Sequence, residues 1–423
     1  MVILLKYKIY TLGCKVNEYE SEVMASILDN HGYEKSENPD VVIINTCTVT
    51  NTADSKSRKL IRKVRKEFPD SIVVAAGCMI QNKKDDNIDA DILIGNMHKS
   101  EIISYLNDYK REKIFDVQDM NNASFENMKL NNFDLTRAYI KIQDGCDNYC
   151  AFCIIPYVRG HVRCKSKEDV LSEAQTLVKN GHKEIVLTGI HTGNYHDGKY
   201  DFADLLADLV KIDGLKRLRI SSVEITELND KVLDVIRNSN VLVDHMHIPL
   251  QSGSDRILRV MNRKYDKKYF INKINKIRSI RPNISITTDV IVGFPSESEE
   301  EFLETIDTIK KVNFSKLHVF PYSDRDGTAA SKMKDKVNGI IKKKRTKKLI
   351  ELSKKLETLY MSKFLGEEIT FIPEVYDDGY LIGHTGNYLL VKARGSSDLI
   401  GKEVNAVLKE IVYPYVISEV CVK

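Results

Sequence analysis

Apolar positions in the first hundred residues fall in short continuous runs rather than at a helical period. Lys8–Cys14, Asp40–Cys47 and Ser71–Cys78 each read as a strand-like run that ends on a cysteine. The two later runs are apolar without alternation, as strands buried on both faces are. Between the runs, Glu18–Asn30 and Asp54–Phe68 carry helical patterning, and Asp91–Gly95 reads as another strand. Strands alternating with helices predict right-handed βαβ units on a parallel sheet. Asn121–Asn132 is polar, asparagine-rich and without period, which predicts a linker.

From Ala138 the alternation resumes. Strand patterns at Ala138–Gly145, Glu184–His191, Leu218–Glu224, His245–Gly253, Ile284–Pro295 and Leu317–Tyr322 enclose helix patterns at Glu168–Asn180, Phe202–Ile212, Asp230–Asn238, Tyr269–Ile280 and Glu299–Val312. Six such units predict a partial parallel barrel, with functional groups where the strands end. A further helix opens in Lys342–Lys348, with Leu349, Leu352, Leu356 and Leu359 on one face for docking. Beyond Glu368 five short strands, Ile369–Val375, Tyr380–His384, Tyr388–Lys392, Glu403–Ile411 and Tyr415–Val422, predict a small closed β-barrel. The expected architecture is α/β: a parallel-sheet domain over 1–118, a linker over 119–134, a partial (βα)6 barrel over 135–360 and a β-barrel over 361–423.

The 423 residues leave room for several cores. A net charge of +4 hints weakly at a polyanionic partner. No apolar run approaches the length of a bilayer span. The opening MVILLKYKIY is too short in its apolar part for a signal peptide. A cytoplasmic compartment is expected, where thiols stay reduced and bind metals or do chemistry.

The eight cysteines therefore carry the chemical signal. Cys146, Cys150 and Cys153 are spaced C-x3-C-x2-C in one tight stretch, Gly145 to Cys153. Three thiolates without a fourth nearby suit an iron–sulfur cube with one iron left open; a zinc knuckle or three free thiols is the alternative. Cys14, Cys47 and Cys78 stand at one phase of the strand–helix repeat, so a parallel sheet would gather them at its carboxyl edge. One such cysteine reads as a buried thiol; three in phase predict a second three-thiolate cluster.

The Cys146–Cys153 spacing, with Phe152 before the last cysteine, resembles the radical S-adenosylmethionine (SAM) enzymes. TLGCKVNEYESE, INTCTVT and AAGCMIQ ahead of it are similar to the methylthiotransferases of that superfamily. The resemblance implies two [4Fe–4S] clusters, with SAM as radical source and methyl donor. It implies that Thr188 and Gly189 meet the SAM amino group, and that Ser222, Gln251, Ser252 and Gly253 lie near the ribose and carboxylate. Ile291 and Gly293 would lie near the adenine, with Phe152 packing on that ring. The tag at Lys15, Val16 and Asn17 looks most like the branch that modifies N6-threonylcarbamoyladenosine at position 37 of tRNA. The last five strands look like a TRAM domain, so the anticodon loop of tRNA is the expected partner. An electron donor and a sulfur source are implied without being identified. Methylthiolation of isopentenyladenosine or of a ribosomal-protein aspartate, and a non-catalytic iron–sulfur RNA-binding regulator, are the rival readings.

Other residues carry bland and functional readings side by side. His245 and His247 share a strand face and read as hydrogen-bonded pocket histidines before metal ligands. Arg159, Arg163 and Arg263 are open to carboxylate, phosphate or solvent. Tyr380, Tyr388 and Arg394 are candidates to stack on unstacked bases, although a β module that only packs is the alternative. The basic start of the last helix is either a phosphate grip or a solvated face. Cys164 and Cys421 belong to neither set.

Overall fold

The computed structural model describes residues 5–83 and 87–421; the first four residues of the opening run and Val422 lie outside them. The first module is a six-stranded sheet, all parallel, in the order Glu34–Lys35, Lys6–Thr11, Val41–Thr46, Ile72–Gly77, Ile92–Ile94, Ile114–Asp116. Val41–Thr46 is buried throughout, as an inner strand covered on both faces must be. The two edge strands escaped the sequence reading because two or three residues carry no period. Register pairs Thr11 with Asn45 and Thr46 with Gly77, so the three inner strands end level. Cys14 precedes helix Lys15–Asn30, Cys47 follows its strand directly, and Cys78 opens helix Cys78–Lys83.

The second module has six parallel strands at Arg137–Lys141, Glu184–Thr188, Arg217–Ile220, His245–His247, Ser285–Val292 and Lys316–Pro321. They form two three-stranded sheets joined by a parallel bridge between Leu218 and Leu242. Two helices match their patterning to the residue. Asp230–Asn238 starts after Asn229, whose side chain accepts from Val232 N, and Glu299–Val312 starts on a Ser298–Glu301 capping box.

Residues 119–134 differ from a free linker. Met120, Met128, Leu130 and Phe133 are buried, and Met128, Leu130 and Phe133 join the barrel's core. The Met128 carbonyl accepts from Tyr19 Oη (2.7 Å) and the Leu130 N–H donates to Glu173 (2.9 Å). The segment has no period because it is a strap: its apolar side chains fill gaps between modules instead of one face of an element.

Helix Gly339–Ser362 lies on strand Lys316–Pro321, where Leu317 N donates to Ser353 Oγ (2.9 Å). Leu349 and Leu356 are buried, but Leu359 is 54% exposed and outside the docked face. The last module is a closed barrel in the order Glu368–Asp377, Tyr380–Thr385, Leu390–Arg394, Tyr415–Val420, Val404–Val412. Tyr388, expected to open the third strand, instead has φ +69° in the turn before it, a left-handed conformation that ends a strand.

Candidate functional site

The cysteine loop begins where the first barrel strand runs out. Gly145 has φ +75°, and a Cβ there would meet the His161 carbonyl oxygen at 1.9 Å. Only glycine lets the chain turn this closely into Cys146. Cys146, Cys150 and Cys153 then line one cleft of about 620 Å³ with Asn148, Phe152, His191, Ser222, Glu224, Gln251 and Arg263.

Two basic groups reach these thiols. Arg263 Nη1 donates to Cys150 Sγ (3.2 Å), while its Nη2 pairs with Glu224 and its Nε donates to Tyr265 Oη (3.1 Å). His191 pairs with Glu227 and lies beside Cys146; burial opposes the imidazolium, but these two neighbours push its pKa up to about 10. Burial raises the thiols themselves, Cys153 to about 12, and Cys150 upward against the neighbouring Arg263 cation. The free thiols of Cys150 and Cys153 stay protonated, and binding a metal would release their protons. His191 Nδ1 and Thr192 Oγ1 are buried at the cleft wall without a partner, as donors awaiting a polar ligand are.

The three early cysteines converge on the same region. A Cβ on Gly13 would lie 2.9 Å from Cys47 Cβ, so the turn before Cys14 rests directly on Cys47. Cys14 is exposed as a residue, yet its thiol is raised by burial, as is Cys47, to about 11; each of the three thiols lies within electrostatic range of the others. Cys78 packs against Ile154 and Val158, immediately beyond Cys153. A second cleft, of about 750 Å³, opens beside Cys153: Val49 and Thr50, which follow Cys47, face Phe152, Cys153, Gln251, Asp289, Ile291 and Phe320. Among the described residues no three Cys, His, Asp or Glu donors gather tightly enough for a single ion.

Residues 140–309 match the radical SAM superfamily, and residues 6–95 match the Uncharacterized protein family UPF0004. Threonylcarbamoyladenosine tRNA methylthiotransferase MtaB of Bacillus subtilis (strain 168) is 42% identical over 424 residues, covering 96% of this chain and 94% of that protein. The chain belongs to the radical SAM tRNA methylthiotransferases. The tRNA-2-methylthio-N(6)-dimethylallyladenosine synthase of Carboxydothermus hydrogenoformans is 36% identical, covering 96% of both chains. In fold the chain is similar to the radical SAM methyltransferase TsrM from Kitasatospora setae, with a TM-score of 0.57 at 12% identity over 78% of this chain and 77% of that one. As a radical SAM protein, the methylthiotransferase uses SAM and a [4Fe–4S] cluster.

Of the cofactor contacts expected from the resemblance, Phe152, Ser222, Gln251 and Ile291 line the two clefts. The others do not. Thr188 is buried at its strand end, and Gly189 lies against Gln143, where a Cβ would sit 3.0 Å from Oε1. Ser252 is fully buried and bonds Ser254 N and Thr305. Gly253 admits helix Glu299–Val312, since a Cβ would be 2.6 Å from Thr305 Cα. Gly293 (φ +67°) admits Lys342 of the last helix. These small residues serve close packing of elements, a use the sequence does not distinguish from ligand approach. Asn148, His191, Glu224 and Arg263 take their place at the cleft.

Tyr388 is not free to stack on a base. It sits between His245 and His384, ring centroids 4.5 Å from each, with Arg219 4.7 Å from its ring. Arg217 and Arg219 donate to the carbonyls of Thr370, His384, Thr385 and Gly386, so the terminal barrel closes over the strand starts, opposite the cysteines. Tyr380, Lys392, Arg394 and Tyr415 remain together on its outer face, with Lys392 4.5 Å over the Tyr380 ring. His247 bonds Thr287 (2.9 Å) and Asp289 (3.2 Å), and His245 bonds Thr287 (3.2 Å), the hydrogen-bonded reading. Arg159 is fully buried. No described helix is long and apolar enough to cross a membrane.

Proposed function

We infer that the protein replaces the C2 hydrogen of N6-threonylcarbamoyladenosine at position 37 of tRNA by a methylthio group, acting in the cytoplasm. The observation that carries this reading is the convergence of Cys14, Cys47 and Cys78 on the rim of the Cys146–Cys153 loop, with Cys78 against Ile154. Cys146, Cys150 and Cys153 would hold one [4Fe–4S] cluster, and Cys14, Cys47 and Cys78 a second. When bound, the first supplies a 5′-deoxyadenosyl radical from SAM, and the second carries the sulfur to be inserted.

The chain's own residues then have defined tasks. Arg263, fixed by Glu224 and Tyr265, orients Cys150 and supports it as a thiolate. His191, kept cationic by Glu227, stands beside Cys146 as a second positive neighbour of the loop. Phe152, Ile155, Ile291 and Phe320 wall the joined clefts with apolar surface and exclude water from the reacting base. Val49 and Thr50 close the space from the side of the second cysteine set. The Tyr380, Lys392, Arg394 and Tyr415 face supplies aromatic surface and cations for the RNA, and Lys343, Lys344, Lys347 and Lys348 add exposed charge along the last helix. The threonylcarbamoyl branch is favoured by the relative at 42% identity.

Mass spectrometry of tRNA nucleosides from a deletion strain tests the assignment. Loss of the 2-methylthio threonylcarbamoyl nucleoside alone is expected. Its persistence, or loss of the isopentenyl counterpart instead, refutes the assignment, and absence of 5′-deoxyadenosine from reduced enzyme with SAM refutes catalysis.

A further inference from the structure

Six ionisable groups lie buried where the first module meets the barrel. Glu20 pairs with Lys99, Lys141 and Arg159; Asp144 pairs with Lys141, Arg159 and Arg163. Their side chains are at most 8% exposed, and those of Glu20, Lys99 and Arg159 are at 0%. Four cations share two carboxylates, and no other carboxylate among the described residues pairs with them. Two positive charges are left over among side chains buried from solvent. Buried charge on this scale requires a counter-charge.

The surplus is directed at the early cysteines. All five N–H groups of Arg159 are used: Nη1 and Nη2 on Glu20, Asp144 and Asn17, and Nε on Cys78 Sγ at 3.3 Å. Asn17, which accepts from Arg159 Nη2 at 2.8 Å, also lies 3.9 Å from Cys14 Sγ. Asn96 Nδ2 approaches Cys78 Sγ from the other side (3.6 Å) and donates to the Val158 carbonyl (2.7 Å). Arg159 itself ends the short helix Ile155–Arg159 that begins two residues after Cys153.

We propose that Arg159, backed by Lys99, Lys141 and Arg163, is the built-in counter-charge of the Cys14, Cys47 and Cys78 site, positioning Cys78 and stabilising the site's anionic, reduced state. The proposal rests on the second cluster of the preceding section. Three thiolates on an iron–sulfur cube make an anion that gains further negative charge on reduction, so a cation donating to one thiolate raises the reduction potential. Because Arg159 ends the helix that begins two residues after Cys153, its bond to Cys78 ties the two cysteine sets together.

The test uses the full-length chain carrying Cys146→Ala, Cys150→Ala and Cys153→Ala, reconstituted with iron and sulfide, so that only the second site is read. Arg159→Met should move the midpoint potential of the electron paramagnetic resonance signal to more negative values and speed iron loss to a chelator about tenfold or more. Arg159→Lys, which keeps the charge, should stay near the parent. Glu20→Gln removes an anion from the same network and should move the midpoint the other way, to more positive values. A mere packing role would not give shifts of opposite sign. An unchanged midpoint in Arg159→Met, or both variants moving together, overturns the proposal. If Arg159→Met does not fold, the sign for Glu20→Gln decides: upward supports, downward or absent overturns. A reconstituted chain without iron refutes the second cluster itself, and the counter-charge with it.

Discussion

Gly145→Ala isolates the cysteine loop from the rest of the molecule. The added Cβ would stand 1.9 Å from the His161 carbonyl oxygen, 2.5 Å from its carbon and 2.7 Å from the Gly160 oxygen, all backbone atoms. Reaching even 3.0 Å from that oxygen requires a retreat of about 1.1 Å, the difference between the two distances. The residue also holds φ +75°, which costs an alanine about 1 kcal/mol. The displacement falls on the residue that leads into Cys146, whose N–H donates to the Gly160 carbonyl at 3.0 Å. A misplacement near 1 Å at a reacting centre costs about 100-fold in rate. The reconstituted variant should lose about half its protein-bound iron and at least that factor in 5′-deoxyadenosine formation, while its unfolding midpoint falls by a few degrees. The control is Gly386→Ala, where a Cβ meets nothing within 4 Å. Full iron content and SAM cleavage in Gly145→Ala would show that the turn at Gly145 does not set the position of the cysteine loop.

Three further perturbations test other parts of the site. Replacing Cys14, Cys47 or Cys78 singly by alanine should remove about half the protein-bound iron, read by iron and sulfide analysis, and leave SAM cleavage measurable. Lys392→Glu with Arg394→Glu should weaken tRNA binding and lower the salt dependence of affinity by about two phosphate contacts without changing SAM cleavage; this is cleaner than truncation at Ser362, because Tyr360, Met361 and Phe364 share the terminal barrel's core. Glu297 is raised by burial from 4.5 to about 6 against the Gly293 N–H and Arg345. A carboxyl raised in the folded state contributes stability that is present below pH 4.5 and lost as pH climbs through about 6, about 2 kcal/mol in all. Denaturant titrations should show Glu297→Gln gaining on the parent by that amount between pH 4.5 and 7.5; a constant difference would refute the assigned titration.

Periodic elements were legible in the chain, and close approaches were not. Continuous apolar runs gave the inner strands, and three cysteines at one phase of the repeat anticipated a meeting point that only a level sheet edge creates. Gly253 and Gly293 looked like room for a nucleoside because a glycine after a strand carries the same letter whether a ligand or a helix fills the space. Arg159 and solvated arginines are likewise indistinguishable until Glu20 and Asp144, more than a hundred residues apart, are seen to share it. The strap at 119–134 failed for a related reason: Met128, Leu130 and Phe133 are buried from a stretch that forms neither helix nor strand, so no single period records them.

The arrangement explains why one end of the barrel does the chemistry. At the strand starts, Tyr388 is clamped between His245 and His384, and Arg219 spans from Glu184 (2.7 Å) to the carbonyls of the terminal barrel. That mouth is closed by aromatic stacking and buried ion pairs. At the strand ends, the first module covers the opening through Arg325, which bonds Thr48 and Asn51 (2.6 Å each), and through Asn51 N on Ser323 (3.0 Å). Thr48 and Asn51 flank Val49 and Thr50, the residues that face the second cleft. The clasp therefore fixes the stretch after Cys47 over the space in front of Cys153. A module that pivoted here would carry Cys14, Cys47 and Cys78 away as one body. Arg325→Ala should accordingly uncouple the two half-reactions, raising 5′-deoxyadenosine formed per methylthiolated tRNA, with iron content intact. An unchanged ratio would place the control of sulfur delivery elsewhere than in the fit between these two modules.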